Sequence, residues 1–105
     1  MQTTYYKKDK HLVFEIEEEI DECSVQNLKR RMDNEIQRYM PKEVIFDFSN
    51  VSFMDSAGIG MLIGRYKMMR LIGGSLEIVN AGSTVSRILE MSGINKIIPI
   101  EKMAM

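Results

Sequence analysis

The stretch VIFDFSNVSFMDSAGIGMLIGRYKMM, residues 44–69, decides the fold because it joins a strand, a polar crossing and a helix in direct succession. Its first part is β-branched or aromatic except at Asp47, which predicts a strand covered on most of both faces. From Ile59 onward, apolar residues recur at spacings of three and four, which predicts a helix with one buried face. The residues of that predicted face are Ile59, Leu62, Ile63, Tyr66 and Met69. We therefore expect the function at the junction, residues 54–58.

This junction is expected to lie where a helix N-terminus leaves its first N–H groups unpaired and carries a partial positive charge. Ser56 should sit at or next to the N-cap, beside Asp55, and both residue types cap helices well. Gly58 and Gly60 need another reason, because a glycine costs a helix about 1 kcal/mol relative to alanine. If they face outward, a partner's backbone or a phosphate could come close to them.

Length and composition limit the classes of function. With 105 residues, 45% of them apolar and 28% charged, the chain has the balance of one soluble domain, which we take to span residues 1–105. Its formal net charge of -1 gives no general attraction for nucleic acid or for an anionic membrane. A signal peptide and a long apolar run are both lacking, so we expect a cytoplasmic protein. The single Cys23 permits no internal disulfide, and no zinc site or other cofactor is predicted.

The segment before residue 44 predicts a hairpin and a helix. Apolar residues alternate along residues 11–17, after a polar turn at 7–10, so residues 3–6 and 11–17 are expected to pair as antiparallel strands. The acidic run at residues 17–22 is either a solvated strand end with favourable charge at a helix N-terminus or a partner-binding segment. The helix stops at Pro41, with Asp33 and other charged residues outside its apolar stripe. That stripe is Val25, Leu28, Met32, Ile36 and Tyr39.

The segment after residue 69 continues the alternation of helix and strand. Gly73 and Gly74 end the central helix, residues 76–79 predict a strand, and a short helix follows that stops at Gly93. Residues 96–100 predict a last strand, at an edge of the sheet because its proline cannot donate to a ladder. The order β-β-α-β-α-β-α-β predicts an α/β fold, with right-handed parallel crossovers beside the hairpin and a mixed sheet of about five strands.

Two enzyme sites fail on their motifs. A serine hydrolase needs G-x-S-x-G and an adjacent base, but Ser56 lacks the leading glycine and the one histidine, His11, lies in the first hairpin. A dinucleotide loop needs G-x-G-x-x-G ahead of a helix, but here the third glycine, Gly64, comes one position late and within the helix. We therefore predict that the protein is not an enzyme.

Three basic residues and Ser56 each allow two interpretations. Arg65, Lys67 and Arg70 are predicted on the outer face of the central helix, either as a solvated face or as a partner contact, and they are too few to bind nucleic acid. Ser56 is either a plain N-cap or a phosphate acceptor. A phosphate there would add roughly two negative charges at a helix N-terminus and next to acidic groups, which could switch a binding surface without changing the fold.

Four motifs together resemble one family over essentially the whole chain. They are Phe53-Met54-Asp55-Ser56-Ala57-Gly58-Ile59-Gly60, Gly64-Arg65-Tyr66-Lys67, Ile72-Gly73-Gly74 and Met91-Ser92-Gly93-Ile94-Asn95-Lys96-Ile97-Ile98. The D-S-x-G loop resembles that of the STAS-domain anti-sigma-factor antagonists, and G-R-Y-K with I-G-G and M-S-G is most similar to the sporulation members. The resemblance implies a small mixed sheet with helices packed mainly on one face.

The resemblance also implies a function. Unphosphorylated members bind an anti-sigma factor that is also a serine kinase, and thereby free a sigma factor; the kinase phosphorylates the loop serine and a dedicated phosphatase reverses this. Matched by position, Ser56 is the acceptor, and Asp21 corresponds to a family aspartate near the loop. The partner surface should have Gly58 and Gly60 facing the partner and Asp21 and Arg65 at its rim. The implied partner-binding residues are Asp21, Asp55, Ser56, Ala57, Gly58, Gly60 and Arg65.

The chain departs from the family pattern at three places. Ala57 stands where close relatives often have a second serine, which leaves Ser56 as the sole predicted acceptor. Glu18 replaces a common glycine and would alter one edge of the contact surface. The chain ends at Met105, so the carboxyl-terminal helix of relatives is expected to be short or absent. The alternative function is a non-switching STAS scaffold or sensor module in which Ser56 only caps the helix.

Overall fold

A computed structural model describes residues 1–104, and the last residue, Met105, lies outside them. Five strands form one sheet in the order β1-β2-β3-β4-β5, with β1 antiparallel to β2 and the other pairs parallel. The strands are β1 Gln2–Tyr6, β2 His11–Glu15, β3 Glu43–Asp47, β4 Ser75–Ala81 and β5 Ile100–Lys102. The helices are α1 Val25–Tyr39, α2 Ser56–Leu71 and α3 Ser83–Ser92, with a short 3₁₀ turn at Ile94–Lys96. The predicted order of elements and the mixed sheet are confirmed.

The core lies on one face of the sheet. Leu12, Val44 and Leu76 are aligned across β2, β3 and β4 and are all buried, whereas their strand neighbours Ile45 and Glu77 are only half-buried. Each crossover adds one strand in the same direction, so right-handed connections bring every helix to the same face. Helices packed mainly on one face are therefore confirmed. The expectation that β3 is covered on most of both faces is wrong, because Glu43, Ile45 and Asp47 on its other face are only half-buried and no helix of residues 1–104 packs there.

Element boundaries differ most at the end of the chain. The predicted last strand at residues 96–100 begins only at Ile100, since residues 94–96 form the 3₁₀ turn and Ile98 packs in the core. Its position at an edge is confirmed. Residues 103 and 104 are not helical, and Met105 is outside the described residues. In residues 1–104, no helix has both the length and the apolar character needed to cross a membrane.

Helix α2 is rotated relative to the prediction. Its buried residues are Gly58, Met61, Leu62, Arg65 and Met69, of which the predicted face contained only Leu62 and Met69. The other predicted residues, Ile59, Ile63 and Tyr66, are half-buried at the edge of the core. Apolar side chains surround much of α2, so spacing alone could not identify the inward side.

The predicted orientation of α2 is most clearly wrong at Arg65. It was expected on the outer, solvated face, but only 9% of it is exposed. Its Nε atom lies 3.1 Å from Asp33 Oδ1 on α1, and this ion pair explains how a guanidinium can face the helix interface. Asp33, also expected outside, is half-buried for the same reason. Lys67 and Arg70 are exposed, as predicted.

Candidate functional site

The N-terminus of α2 is capped by Asp55. Its carboxylate Oδ1 accepts hydrogen bonds from the N–H groups of Ala57 at 2.8 Å and Gly58 at 3.4 Å, and its backbone is extended. Ser56 is the first helical residue and is exposed. It lies next to the cap, which is one of the two positions expected for it. Its hydroxyl has no hydrogen-bond partner within residues 1–104. The interpretation of Ser56 as the cap itself is wrong, because Asp55 already holds the donors that a cap serves.

The same carboxylate also holds the acidic segment against the junction. Asp55 Oδ2 accepts from the Glu22 N–H at 3.2 Å. Two backbone bonds lie beside this contact: Ile20 N–H donates to Phe53 O, and Asp55 N–H donates to Ile20 O, each at 3.1 Å. Residues 20–22 are therefore fixed alongside the start of α2.

Asp21 lies within this fixed segment and caps the turn before α1. Its Oδ1 accepts from the N–H groups of Cys23 and Ser24, each at 3.0 Å, and its own N–H donates to Ser24 Oγ at 3.1 Å. Because Ile20 and Glu22 on either side bond to the junction, the starts of α1 and α2 lie at the same end of the molecule. Two positive helix termini and several carboxylates thus share one surface.

The two glycines near the start of α2 have different roles. Gly58 is buried, and a Cβ atom there would lie 2.6 Å from Met54 Cγ and 2.9 Å from Ile20 Cγ2. The expectation that Gly58 faces a partner is wrong, because it faces the Ile20–Met54 bridge and lets the helix pack closely on it. A Cβ on Gly60 would meet nothing within 4 Å, so Gly60 is open to solvent.

The structure brings together most of the residues predicted for the site. Asp55, Ser56, Ala57 and Gly60 follow one another along the first turns of α2, and Asp21 lies in the adjoining segment. Arg65 does not join them. Arg65 lies about 14 Å from Ser56 along the helix axis, at about 1.5 Å per residue, and its side chain turns toward α1.

Two features of this surface were not predicted from the sequence. Phe53 is 44% exposed, which places a large apolar side chain immediately before the junction. The Glu22 N–H is the donor that ties the acidic segment to Asp55. The sequence signal for Phe53 is weak, because an aromatic residue among polar ones is usually buried, and no local pattern pairs residues 22 and 55.

Two carboxyl groups with shifted pKa values lie on the helix-free face of the sheet. Burial raises the pKa of Glu77, and the nearby carboxylates of Glu43 and Glu101 raise it further, against a smaller opposing effect of His11. Burial also works against ionisation of Asp47, but hydrogen bonds from Ser49 and Asn80 outweigh it and leave the pKa of Asp47 below its usual value. Across residues 1–104, no three His, Cys, Asp or Glu side chains are grouped so as to hold a metal ion.

Comparisons with known proteins agree with this architecture. The STAS domain family matches residues 2–103. The anti-sigma F factor antagonist of Paenibacillus polymyxa is 35% identical over 89 residues, which cover 85% of this chain and 76% of that protein. The solved structure of the anti-sigma factor antagonist SpoIIAA in its unphosphorylated form superposes with a TM-score of 0.81 at 23% identity, covering 96% of this chain and 87% of that one.

A second solved structure is similar in fold. The Bacillus cell fate determinant SpoIIAA in its phosphorylated form gives a TM-score of 0.71 at 22% identity, covering 96% of this chain and 90% of that one. At these identities the two structures establish the shared fold, while the match over residues 2–103 and the relative at 35% identity extend the likeness to the sequence. The chain belongs to the STAS domain family.

Proposed function

We propose that this chain is an anti-sigma factor antagonist that works by phosphorylation-controlled partner switching in the cytoplasm, in sporulation. Unphosphorylated, it binds an anti-sigma factor that is also a serine kinase, and the sigma factor is released. Phosphorylation of Ser56 ends this binding, and a serine phosphatase restores it. The observation that carries the proposal is the exposed Ser56 hydroxyl, without a hydrogen-bond partner in residues 1–104, at a helix start whose donors are already held by Asp55. The relative named anti-sigma F factor antagonist supports the choice of partner.

The capping geometry suggests how a phosphate would act. The N–H groups of Ala57 and Gly58 are occupied by Asp55, so a phosphate on Ser56 would remain at the surface instead of replacing the cap. It would add roughly two negative charges beside the Asp55 carboxylate and the acidic residues 17–22. A partner docking here would have to desolvate those charges together, which opposes binding while leaving the fold intact.

The geometry favours a binding protein over an enzyme. Ser56 follows the carboxyl end of β3, whereas His11 pairs with Glu43 at the opposite end of the same strand. At about 3.3 Å per strand residue, the two ends of β3 are about 13 Å apart, too far for His11 to act as a base for Ser56. A scaffold in which Ser56 serves only as a cap loses its basis, because Asp55 makes the capping bonds.

The test is a phosphorylation assay with the anti-sigma factor kinase of the same organism. The protein and ATP are incubated with the kinase, and intact mass is measured. We expect one added phosphate, lost in Ser56→Ala and retained in Ser52→Ala, an exposed serine just before the junction. Addition of the cognate serine phosphatase should return the original mass. Phosphate that persists in Ser56→Ala, or no incorporation into the parent protein, would contradict the proposal.

A further inference from the structure

One apolar contact of α2 is specific for a single rotation, the close packing of Gly58 on Met54 and Ile20, and it lies in the first turn. Besides its buried residues Met61, Leu62 and Met69, the helix carries further apolar side chains that pack against the edge of the core. These are Ala57, Ile59, Ile63, Tyr66 and Met68. Methionine side chains adapt to irregular contacts, so the apolar contacts beyond the first turn discriminate poorly between neighbouring rotations. A helix without a single apolar stripe therefore needs a second feature, beyond its first turn, to hold one orientation along its length.

Arg65 and Asp33 provide a feature that does discriminate. Arg65 is 9% exposed, and its Nε atom lies 3.1 Å from Asp33 Oδ1, as an ion pair without the alignment of a hydrogen bond. The Arg65 Nη1 atom has no acceptor among the described residues. Turning α2 by one residue, about 100°, would separate the pair and leave a charge at the helix interface without its partner. The pair therefore penalises such a rotation in addition to the close contact of Gly58 with Met54 and Ile20.

We propose that the Arg65–Asp33 pair is a positioning pair, which selects one rotation of α2 on α1 and so fixes the direction in which Ser56 is presented to its partner. The part of this proposal that concerns the partner rests on the proposed function; the part that concerns rotation does not. A single buried polar contact that fixes the register of packed helices has precedent in other helical assemblies.

Two tethers hold α2 at different points along its length. Asp55 Oδ2 holds the Glu22 N–H near the start of α2, and the Arg65–Asp33 pair holds the helix about 14 Å further along its axis. Two separated tethers define an orientation, whereas the Asp55 contact alone would act as a pivot. Loss of the pair should therefore disturb the direction of Ser56 more than it disturbs the fold.

The test replaces both charges with apolar side chains of similar length, in the double variant Asp33→Leu/Arg65→Met. Its midpoint of thermal unfolding should equal or exceed that of the parent, since replacing a buried ion pair by apolar residues is often neutral or stabilising. Nuclear magnetic resonance should show doubled or broadened amide signals for residues 56–64, with amide exchange at residues 56–60 about tenfold faster. The matched control, Glu90→Leu/Lys102→Met, removes an exposed ion pair of 2.9 Å and should leave these signals unchanged.

The kinetics of phosphorylation by the kinase give a measurement that should not change if the pair had a purely structural role. If only a fraction of molecules presents Ser56 correctly, KM of the kinase for the variant should rise about threefold or more while kcat is unchanged. The conservative variant Arg65→Lys, which keeps the charge, should show a single set of signals and a KM close to that of the parent.

The outcomes that would overturn the proposal are distinct. A double variant with a single set of sharp signals and parental exchange rates would show that apolar packing already fixes the rotation. An unfolded double variant would show that the pair holds the fold and not the orientation. If the parent is not phosphorylated at Ser56, the proposed function fails, while the resonance and exchange measurements still decide the role of the pair.

Discussion

At the scale of single residues, Asp55 has more than one function. Its carboxylate caps α2 through the Ala57 and Gly58 N–H groups and also accepts from Glu22, so one side chain joins two segments that are distant in sequence. The Ser56 side chain, directly beside it, makes none of these hydrogen bonds within residues 1–104. The residue that supports the surface and the residue proposed to be phosphorylated are thus adjacent but separate.

Asp55→Ala should therefore cost stability and Ser56→Ala should not. Loss of a cap costs about 0.5–2 kcal/mol, and the freed Glu22 N–H adds to it, so we expect a loss of about 1–3 kcal/mol in the free energy of unfolding. Ser56→Ala should stay within about 0.5 kcal/mol of the parent. Urea unfolding of both variants measures this, and equal losses would mean that Asp55 is not the dominant cap.

Ser56→Asp should weaken binding of the anti-sigma factor kinase with little change in stability. A carboxylate at a helix N-terminus is stabilising by about 0.3–1 kcal/mol, but it must be desolvated beside Asp55 when a partner docks. Calorimetric affinity and melting temperature are compared with those of Ser56→Asn, which has a similar size and no charge. If the Asp and Asn variants bind equally well, charge is not the cause of switching.

At the scale of elements, the start of α2 has one tightly packed side and one open side. Gly58 packs against Met54 and Ile20 with no room for a Cβ atom, while Gly60 faces open space. The two positions are two residues apart and in the same helical turn. The close packing of this turn is therefore confined to Gly58, and Gly60 is on the open side, where we propose that a partner approaches.

Gly58→Ala and Gly60→Ala should shift stability in opposite directions. The added methyl group at position 58 overpacks the bridge, at a cost of about 1–3 kcal/mol, whereas at position 60 it should stabilise the helix by about 0.5–1 kcal/mol. Chemical denaturation measures both.

Gly60→Leu should obstruct binding of the kinase while the fold persists. Normal binding by Gly60→Leu, together with poor binding by Lys29→Ala on α1, would place the partner surface elsewhere.

The sequence predicted the elements of the fold better than their rotations. Alternation of strand and helix, with Pro99 near the last strand, was enough to predict the order of the elements, the mixed sheet and the edge position of the last strand. The rotation of α2 was not predictable from spacing, because Arg65 is turned inward by Asp33, which is distant in sequence. The cap was ambiguous because Asp55 and Ser56 are both good capping residues, and the structure distinguishes them by the extended backbone of Asp55 and the hydrogen bonds that its carboxylate accepts.

At the scale of the whole molecule, the three crossovers leave one face of the sheet without helices. Carboxyl groups on that face are partly buried by neighbouring strands and not by a covering layer. Glu77 has a pKa above its ordinary value of 4.5, and Asp47 has a pKa below its ordinary value of 3.8. The two groups therefore make contributions of opposite sign to the dependence of stability on pH.

Glu77→Gln and Asp47→Asn should reveal these opposite signs. The folded state binds the Glu77 proton more tightly than the unfolded state, so ionisation of Glu77 reduces stability as pH rises through and above 4.5. Glu77→Gln should be more stable than the parent at pH 8 and lose that advantage below pH 4.5.

Asp47 behaves in the reverse sense, since its ionised form is favoured in the folded state. Asp47→Asn should be less stable than the parent above pH 3.8, and the difference should shrink as pH falls through the lowered pKa of the parent carboxyl. Thermal unfolding of the parent and both variants across this pH range measures the two effects, and differences of the same sign for both variants would contradict the assignment.

The strand register has a practical consequence for attaching other molecules to this protein. Gln2 pairs with Glu15 at the carboxyl end of β2, and β5 runs parallel to its neighbour. Both ends of the described chain therefore emerge at the same end of the parallel strands as the start of α2. A tag or a fused domain at either end would crowd the surface around Ser56. The turn at residues 7–10 joins β1 to the opposite end of β2, and it is there that a fluorophore or a surface linker would leave Ser56 unobstructed.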